Sequence, residues 1–365
     1  MKRAFILADS LISPLGFSSE ENFNALTRGV SAVHVVESSE LSDKPFFAAH
    51  ISKLKADEGF TRFEKLSLQS VRQALNKVSI PIDFKKTAFV LSTTKGNIEL
   101  LNGEINSSLR LHVTAKKIAS EFGFTSVYVV SNACTSGVMS LLYGKQLLET
   151  GKFDTVVITG SDVLSKFVVS GFQSLHALSD EPCKPFDIAR KGLNLGEASA
   201  TVILSSIHES EYEISGGAST NDANHISGPS RTGEELGRAI ADALMDSQLS
   251  PGDLDFISAH GTATPYNDEM ESKAFHVANV EQVPVNSLKG YFGHTLGAAG
   301  LVEVVMSLHS LRNNQLIQTK GFTALGVSKP LSVITEPETK PLKSFLKTAS
   351  GFGGCNAALV VQRIK

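Results

Sequence analysis

Four short segments carry side chains that could do chemistry. In Ser131-Asn132-Ala133-Cys134-Thr135-Ser136-Gly137, a thiol stands between an apolar run, Val127–Val130, and a helical pattern, Ser136–Thr150. A cysteine at a strand-to-helix turn meets unsatisfied N–H groups and the positive end of the helix, which favour thiolate and a nucleophile. A lone thiol in apolar surroundings also fits inert packing. The second segment is His260-Gly261-Thr262-Ala263-Thr264-Pro265, after the run Phe256–Ala259. Its histidine sits at a strand's carboxyl end, where α/β sheets place ligands, although a structural histidine fits as well. Glu271 follows one helical turn after Asn267 and Asp268. The third segment, Asn286 to His294 with Lys289, leads into Gly297-Ala298-Ala299-Gly300. A glycine-rich helix entry could cradle phosphate, but this is not a Walker A sequence. The fourth, Ser350-Gly351-Phe352-Gly353-Gly354-Cys355-Asn356, reads as a ligand-facing or mobile loop, or as an ordinary tight turn.

Elements able to position these segments alternate along the chain. Ala4–Leu7, Ala88–Leu91, Val127–Val130, Thr155–Thr159, Ala200–Leu204, Phe256–Ala259 and Ala357–Val361 read as buried strands. Leu66–Val78, Ser136–Thr150, Glu234–Ser247, Asp268–Phe275 and Ala298–Asn313 read as helices. The alternation predicts an α/β fold with helices on mostly parallel or mixed sheets. Ser206–Ser215, polar and near the middle, is the candidate join between two halves.

The 365 residues allow two to three units, and 42% hydrophobic against 19% charged residues supports a sizeable core. A net charge of −3 gives no case for nucleic-acid binding. Cys134, Cys183 and Cys355 are distant and odd in number, which excludes a disulfide scaffold and suits a reducing, cytoplasmic home. Cys183 is expected in a surface loop without a role, and Cys355 in packing. No apolar stretch is long enough for a membrane span. His34, His50, His112, His176, His208, His225, His276 and His309 lack comparable surroundings and read as structural or solvated. Lys53, Lys55, Arg62, Lys65, Lys116 and Lys117 make the N-terminal third locally basic, as a solvated face or a docking patch.

In this order, Asn132 to Gly137, His260 to Thr264, Lys289 with Gly293-His294, and Gly351 to Gly354 resemble the β-ketoacyl-acyl carrier protein synthases. These are decarboxylating condensing enzymes of the thiolase superfamily. Lys184-Pro185-Phe186-Asp187 with Arg190, Gly192, Gly196 and Glu197 extends the likeness. The resemblance implies an α/β thiolase-like fold of two similar halves, residues 1–209 and 210–365, forming a five-layered α-β-α-β-α core. It implies acyltransferase chemistry in fatty-acid, polyene or polyketide biosynthesis. An acyl group would be carried on Cys134 and condensed with malonyl carrier. The N–H groups of Cys134 and Phe352 would form an oxyanion hole, and neutral His260 and His294 would stabilise the enolate. Lys289, hydrogen-bonded to Glu271, would hold the histidine loops rather than act as a base. Thr262 and Thr264 would meet pantetheine, and Phe352 would gate the pocket on a loop freed by Gly351, Gly353 and Gly354. No redox cofactor or catalytic metal is implied, but Glu303 falls where some relatives bind a structural monovalent cation. Acyl carrier protein is the implied partner, with a homodimer or a heterodimer with a related, catalytically silent subunit.

Several positions depart from the family. The chain is short, and Ala56–Ser79 looks trimmed. Ser350 replaces a second Phe, Cys355 a Thr, and Ala198-Ser199 a Gly-Ala pair. Competing readings are a chain-length partner subunit, a thiolase or chalcone-synthase-like enzyme, a cysteine hydrolase built on Cys134, His260 and Asn356, and a binding-only module.

Overall fold

The computed structural model describes residues 2–364 apart from 53, 55–58, 102–105 and 225. Lys53, Lys55, Ala56 and His225 therefore lie outside the described residues. The main sheet has ten strands. Those of the first half are β1 (Ala4–Ile12), β2 (Thr87–Ser92), β3 (Ser126–Val130), β4 (Thr155–Asp162) and β5 (Ala198–Ser205). Those of the second half are β6 (Tyr212–Asn221), β7 (Phe256–Ser258), β8 (Val285–Asn286), β9 (Ser344–Gly351) and β10 (Cys355–Arg363).

The two halves repeat one topology. The first runs β1-β5-β4-β2-β3 and the second β6-β10-β9-β7-β8. In each, the first strand pairs antiparallel with the last and the last antiparallel with its predecessor; the remaining pairings are parallel. Only Ala4↔Ile214 and Phe5↔Glu213 join the half-sheets edge to edge. Residues 206–211 make the turn between β5 and β6, inside the polar segment expected to join the halves.

Among the described residues, the helices of nine residues or more are α1 (Ser19–Thr27), α2 (Arg62–Asn76), α3 (Leu111–Ser120), α4 (Ser136–Glu149), α5 (Lys166–Ser174), α6 (Glu234–Ser247), α7 (Pro265–Val277) and α8 (Ala299–Asn313). Apolar residues of α2 and α3 pack on one face of the first half-sheet, with Phe89, Val157 and Ile203. Those of α6 and α7 cover the second, with Ile257, Leu346 and Val360. Between the sheets α4 and α8 share a third cluster, which includes Val138, Leu141, Leu301 and Val305. Three cores between two sheets and three helix layers make the expected five-layered thiolase-like architecture.

The central helices meet at their N-termini. A Cβ on Gly137 would lie 2.7 Å from Leu301 N, and one on Gly300 would lie 2.5 Å from Val138 N. Only glycine allows backbones this close. The expected strands are all present, most of them longer than their apolar cores. Three strands of the main sheet were not expected: the two-residue β8, and β6 and β9. β6 contains Gly216-Gly217, and β9 carries Lys347 at its middle, so neither shows an unbroken apolar run. Both are nonetheless interior strands, paired on each side.

The expected basic patch is largely spent internally. Arg62 pairs with the fully buried Glu197, Lys117 with the buried Glu64 at 2.6 Å, and Lys65 is itself buried. Among the described histidines outside the three reactive segments, His309 is structural: its Nε2 lies 3.0 Å from the buried Asp9.

Candidate active site

Cys134 follows β3 by four residues and precedes α4. Ala133 adopts φ 45°, a left-handed conformation unusual for a residue with a Cβ. The turn is held by Ser136, whose hydroxyl donates to Ala133 O and accepts from Asn132 N. His294 Nε2 lies 3.0 Å from Cys134 Sγ. The rings of His260 and His294 stand edge to face, with centroids 5.3 Å apart. The thiol and both imidazoles place one ligand atom each within 4.8 Å of one another. Three segments scattered along the chain thus meet at one point.

Each histidine is fixed through its backbone. His260 N donates to Glu271 Oε1 at 2.8 Å and to Thr348 Oγ1 at 3.2 Å, while Gly261 N donates to Glu271 Oε2 at 2.6 Å. Asn267 Nδ2 and Thr348 Oγ1 also donate to Glu271. His294 N donates to Asn194 O, and its carbonyl accepts from Gly196 N. Neither Nδ1 has a hydrogen-bond partner among the described residues. With Nδ1 unpartnered, neither tautomer is fixed, so Nε2 of each ring can serve as acceptor in one tautomer and as donor in the other.

Electrostatics separate thiol and imidazoles. Burial holds His260 and His294 well below the ordinary histidine value, with the Lys289 charge adding to it, so both rings are neutral near pH 7. Burial pushes Cys134 up to about 12, against smaller opposing effects of Lys289 and Lys95. This corrects the expectation of a standing thiolate at the helix end: desolvation of the charged sulfur outweighs the local positive field. The resting pair is a thiol facing a neutral imidazole.

Three other expectations are corrected. Lys289 does not bond Glu271. Its Nζ donates to Glu303 on α8, because Glu271 is already occupied by four donor groups of the His260 segment and Thr348. A monovalent cation beside Glu303 does not fit either. One carboxylate oxygen faces Lys289 Nζ and the other lies 2.7 Å from Lys347 Nζ, so each already has an ammonium group beside it, although Oε2 accepts no aligned hydrogen bond among the described residues. Cys183, expected on the surface, is buried with Sγ 3.4 Å from Lys289 O, and burial pushes it up to about 12. Cys355 is buried as expected, with Sγ 3.4 Å from Phe352 O.

A cavity of about 670 Å³ runs from the exposed Tyr266 to Cys134, His260 and His294. Thr262 and Thr264 line it, with their hydroxyls 2.9 Å apart; Thr264 also caps α7 by accepting from Asn267 N. Phe352 is 40% exposed at the wall and stacks on Phe172 of α5, a lining residue the sequence reading did not single out. A Cβ on Gly351 would come 3.1 Å from Cys134 N, so the Phe352 loop presses directly on that N–H. Asn356 accepts from Ser350 Oγ and donates to Gly354 O. It is committed to its own loop and does not orient His260. Asp162 carries a further unanticipated role: it accepts from Thr93 Oγ1, Thr94 N and Gly297 N, tying the turn before α8 to the first half-sheet.

A doubled five-strand topology, with a cysteine after one third strand and histidines after two strands of the other half, defines a thiolase-like condensing protein. Residues 1–210 match the family model for the beta-ketoacyl synthase N-terminal domain, and residues 212–323 that for the C-terminal domain. The chain belongs to the beta-ketoacyl synthase family. It is 32% identical over 269 residues to the tetracenomycin polyketide synthase ketoacyl synthase alpha subunit of Streptomyces glaucescens, covering 68% of this chain and 63% of that relative's length. It is 26% identical to a 3-oxoacyl-[acyl-carrier-protein] synthase 2 of Coxiella burnetii, across 100% of this chain and 99% of the relative. Its fold matches a ketosynthase solved in complex with its chain length factor from Xenorhabdus doucetiae. The TM-score is 0.90, with 24% identity over 100% of this chain and 98% of that one. No helix among the described residues is long and apolar enough to cross a membrane.

Proposed function

We propose that the chain is a β-ketoacyl-acyl carrier protein synthase that condenses malonyl carrier with an acyl group held on Cys134. The observation that carries this reading is the 3.0 Å approach of His294 Nε2 to the thiol, with His260 edge-on beside it. In the first half-reaction His294 accepts the thiol proton as sulfur attacks the acyl thioester. The bond to the carrier's sulfur breaks, and the carrier thiol leaves with that proton. Activation within the pair supplies the nucleophile that burial otherwise disfavours. The N–H groups of Cys134 and Phe352 are the oxyanion donors in this reading.

In the second half-reaction malonyl carrier loses carbon dioxide. The electron pair of the broken bond becomes an enolate, whose oxygen accepts from His260 and His294. Its carbon attacks the Cys134 thioester, forming the new carbon–carbon bond and releasing the sulfur as thiolate, which takes a proton from solvent to restore the resting thiol. Both rings are neutral and preset, so they act on charge that develops only in the transition state. Thr262 and Thr264 suit the pantetheine amides, and Arg231 and Lys191 at the mouth suit its phosphate. Lys289 and Glu271 position the histidine segments through separate partners. The steps balance without a redox cofactor or catalytic metal.

We read the acyl carrier protein as the partner, from the names of the relatives and the cavity that reaches from the exposed Tyr266 to Cys134. We also read the protein as a homodimer or a heterodimer with a ketosynthase-like subunit. The outer strand β3, with half-buried Val127, Tyr128, Val129 and Val130 on an unpaired edge, supports association. Three buried, unpaired cysteines support a reducing cytoplasm.

The test is Cys134→Ala. Intact-mass measurement after incubation with acyl carrier should show no acyl-enzyme, while malonyl-carrier decarboxylation persists. Retained acylation would rule out the nucleophile assignment. Steady release of free acid by the native protein would instead favour a hydrolase.

A further inference from the structure

The family cation fails to fit because a lysine already stands there. Lys347, midway along β9, has no exposed surface. Its Nζ lies 2.7 Å from Glu303 Oε2 and donates to the carbonyls of Ser258 at 3.0 Å and Ala259 at 2.9 Å. These carbonyls close the strand that delivers His260. One carboxylate and two backbone carbonyls converging on a positive centre form an all-oxygen shell of the kind that binds a hard cation.

We propose that the Lys347 ammonium is a tethered cation. It takes the place of a diffusible monovalent ion and fixes the His260 strand end to Glu303 and, through Lys289, to the His294 loop.

Register makes this possible. Ser258 pairs with Lys347 in the parallel β7–β9 ladder, so the side chain needs only to turn along the strand end to reach both carbonyls. The next residue, Thr348, bonds Glu271, which receives His260 N. Glu303 then links the cluster to Lys289, at the start of the loop ending in His294. Lys347 and Lys289 both pair with Glu303, and the Glu271 carboxylate also acts on the Lys347 charge, so the ammonium groups stand where an added cation would have to stand. Burial pulls the Lys347 ammonium below the ordinary lysine value, and Glu303 opposes that pull. Lys347 is thus a positioning residue, and its covalent tether makes the site independent of the salt around the protein.

The experiment compares the native protein, Lys347→Ser and Lys347→Met in potassium, ammonium and tetramethylammonium chloride at equal ionic strength. It reads Tm and malonyl-carrier decarboxylation. The native protein should give the same Tm and rate in all three salts. Lys347→Ser opens an ammonium-sized space lined by oxygens. In tetramethylammonium it should lose about tenfold or more in rate and show a lowered Tm, and potassium or ammonium should restore both. Lys347→Met fills the space without charge and should respond to none of the salts. A native protein whose Tm or rate requires potassium overturns the proposal, and so does a Lys347→Ser protein with equal Tm in potassium and tetramethylammonium. If Lys347→Ser does not fold, the native salt series still decides. The rate rests on the ketosynthase reading, whereas Tm does not, so failure of one is distinguishable from failure of the other.

Discussion

After β3 in the first half comes Cys134; after β8, its counterpart in the second half, come Lys289 and His294. After β2 come Thr93, Thr94 and Lys95; after the matching β7 comes His260. β4 ends on Asp162; after β9 comes Phe352. The scaffold is the same in both halves, down to strand direction, yet the residue types at equivalent strand ends differ. In the first half they supply the nucleophile and a carboxylate that clamps the neighbouring turn. In the second they supply both imidazoles and the loop that lies beside the Cys134 backbone N–H. Repeated topology determines where reactive residues can stand, and local chemistry determines which half does what. Neither half holds a complete site.

This division of labour can be broken most severely at its contact point. His294→Ala removes the ring that touches Cys134 and should reduce condensation by about 10²–10⁴-fold. Decarboxylation should suffer more than acylation, as separate assays of the half-reactions would show. Unchanged acylation would contradict the role of His294 as base toward the Cys134 thiol. The same variant carries a pH signature. Native His294 stays neutral below the pH near 6.5 at which an unfolded histidine takes up a proton. Folding stability therefore falls as pH drops below about 6.5, by up to about 1.4 kcal/mol per pH unit for this ring. Denaturant titrations from pH 7 to 5 should show a shallower acid loss in His294→Ala than in the native protein. Parallel curves would contradict a buried, neutral ring.

A smaller effect tests how the halves are held together. Gly300→Ala places a methyl group against Val138 N at the meeting of α4 and α8, and should cost about 1–3 kcal/mol by denaturant unfolding. An unchanged midpoint would show that the two helices can separate freely. The smallest effect is expected at Phe172→Ala. Losing the stack on Phe352 should weaken that contact by about 0.5–1.5 kcal/mol and change KM for acyl carrier more than kcat. A dominant fall in kcat would place Phe172 closer to the chemistry than its position on α5 indicates.

The sequence was legible where function needs unusual local composition. Cys134, His260 and His294 stood out because small residues and glycines crowd around them, as a close backbone approach to substrate requires. The Thr264 cap and Pro265 that begin α7 were not read from the sequence, and the expected helix started three residues late, at Asp268. Charge partners were not legible either. Helical spacing correctly placed Glu271 one turn beyond Asn267, but could not show that the His260 and Gly261 N–H groups would claim its carboxylate. Lys289 was consequently assigned the wrong acid, and the expected thiolate ignored how deeply Cys134 is buried.

Strand and helix periods, turn residues and the order of reactive motifs are local properties, so the chain by itself determined its α/β class and the three groups of its reactive centre. The Lys289–Glu303–Lys347 cluster, the neutral imidazoles and the protonated thiol depend on burial and on contacts between segments far apart in the chain. Only the tertiary structure decided those, because desolvation and ion pairing are set by which surfaces meet.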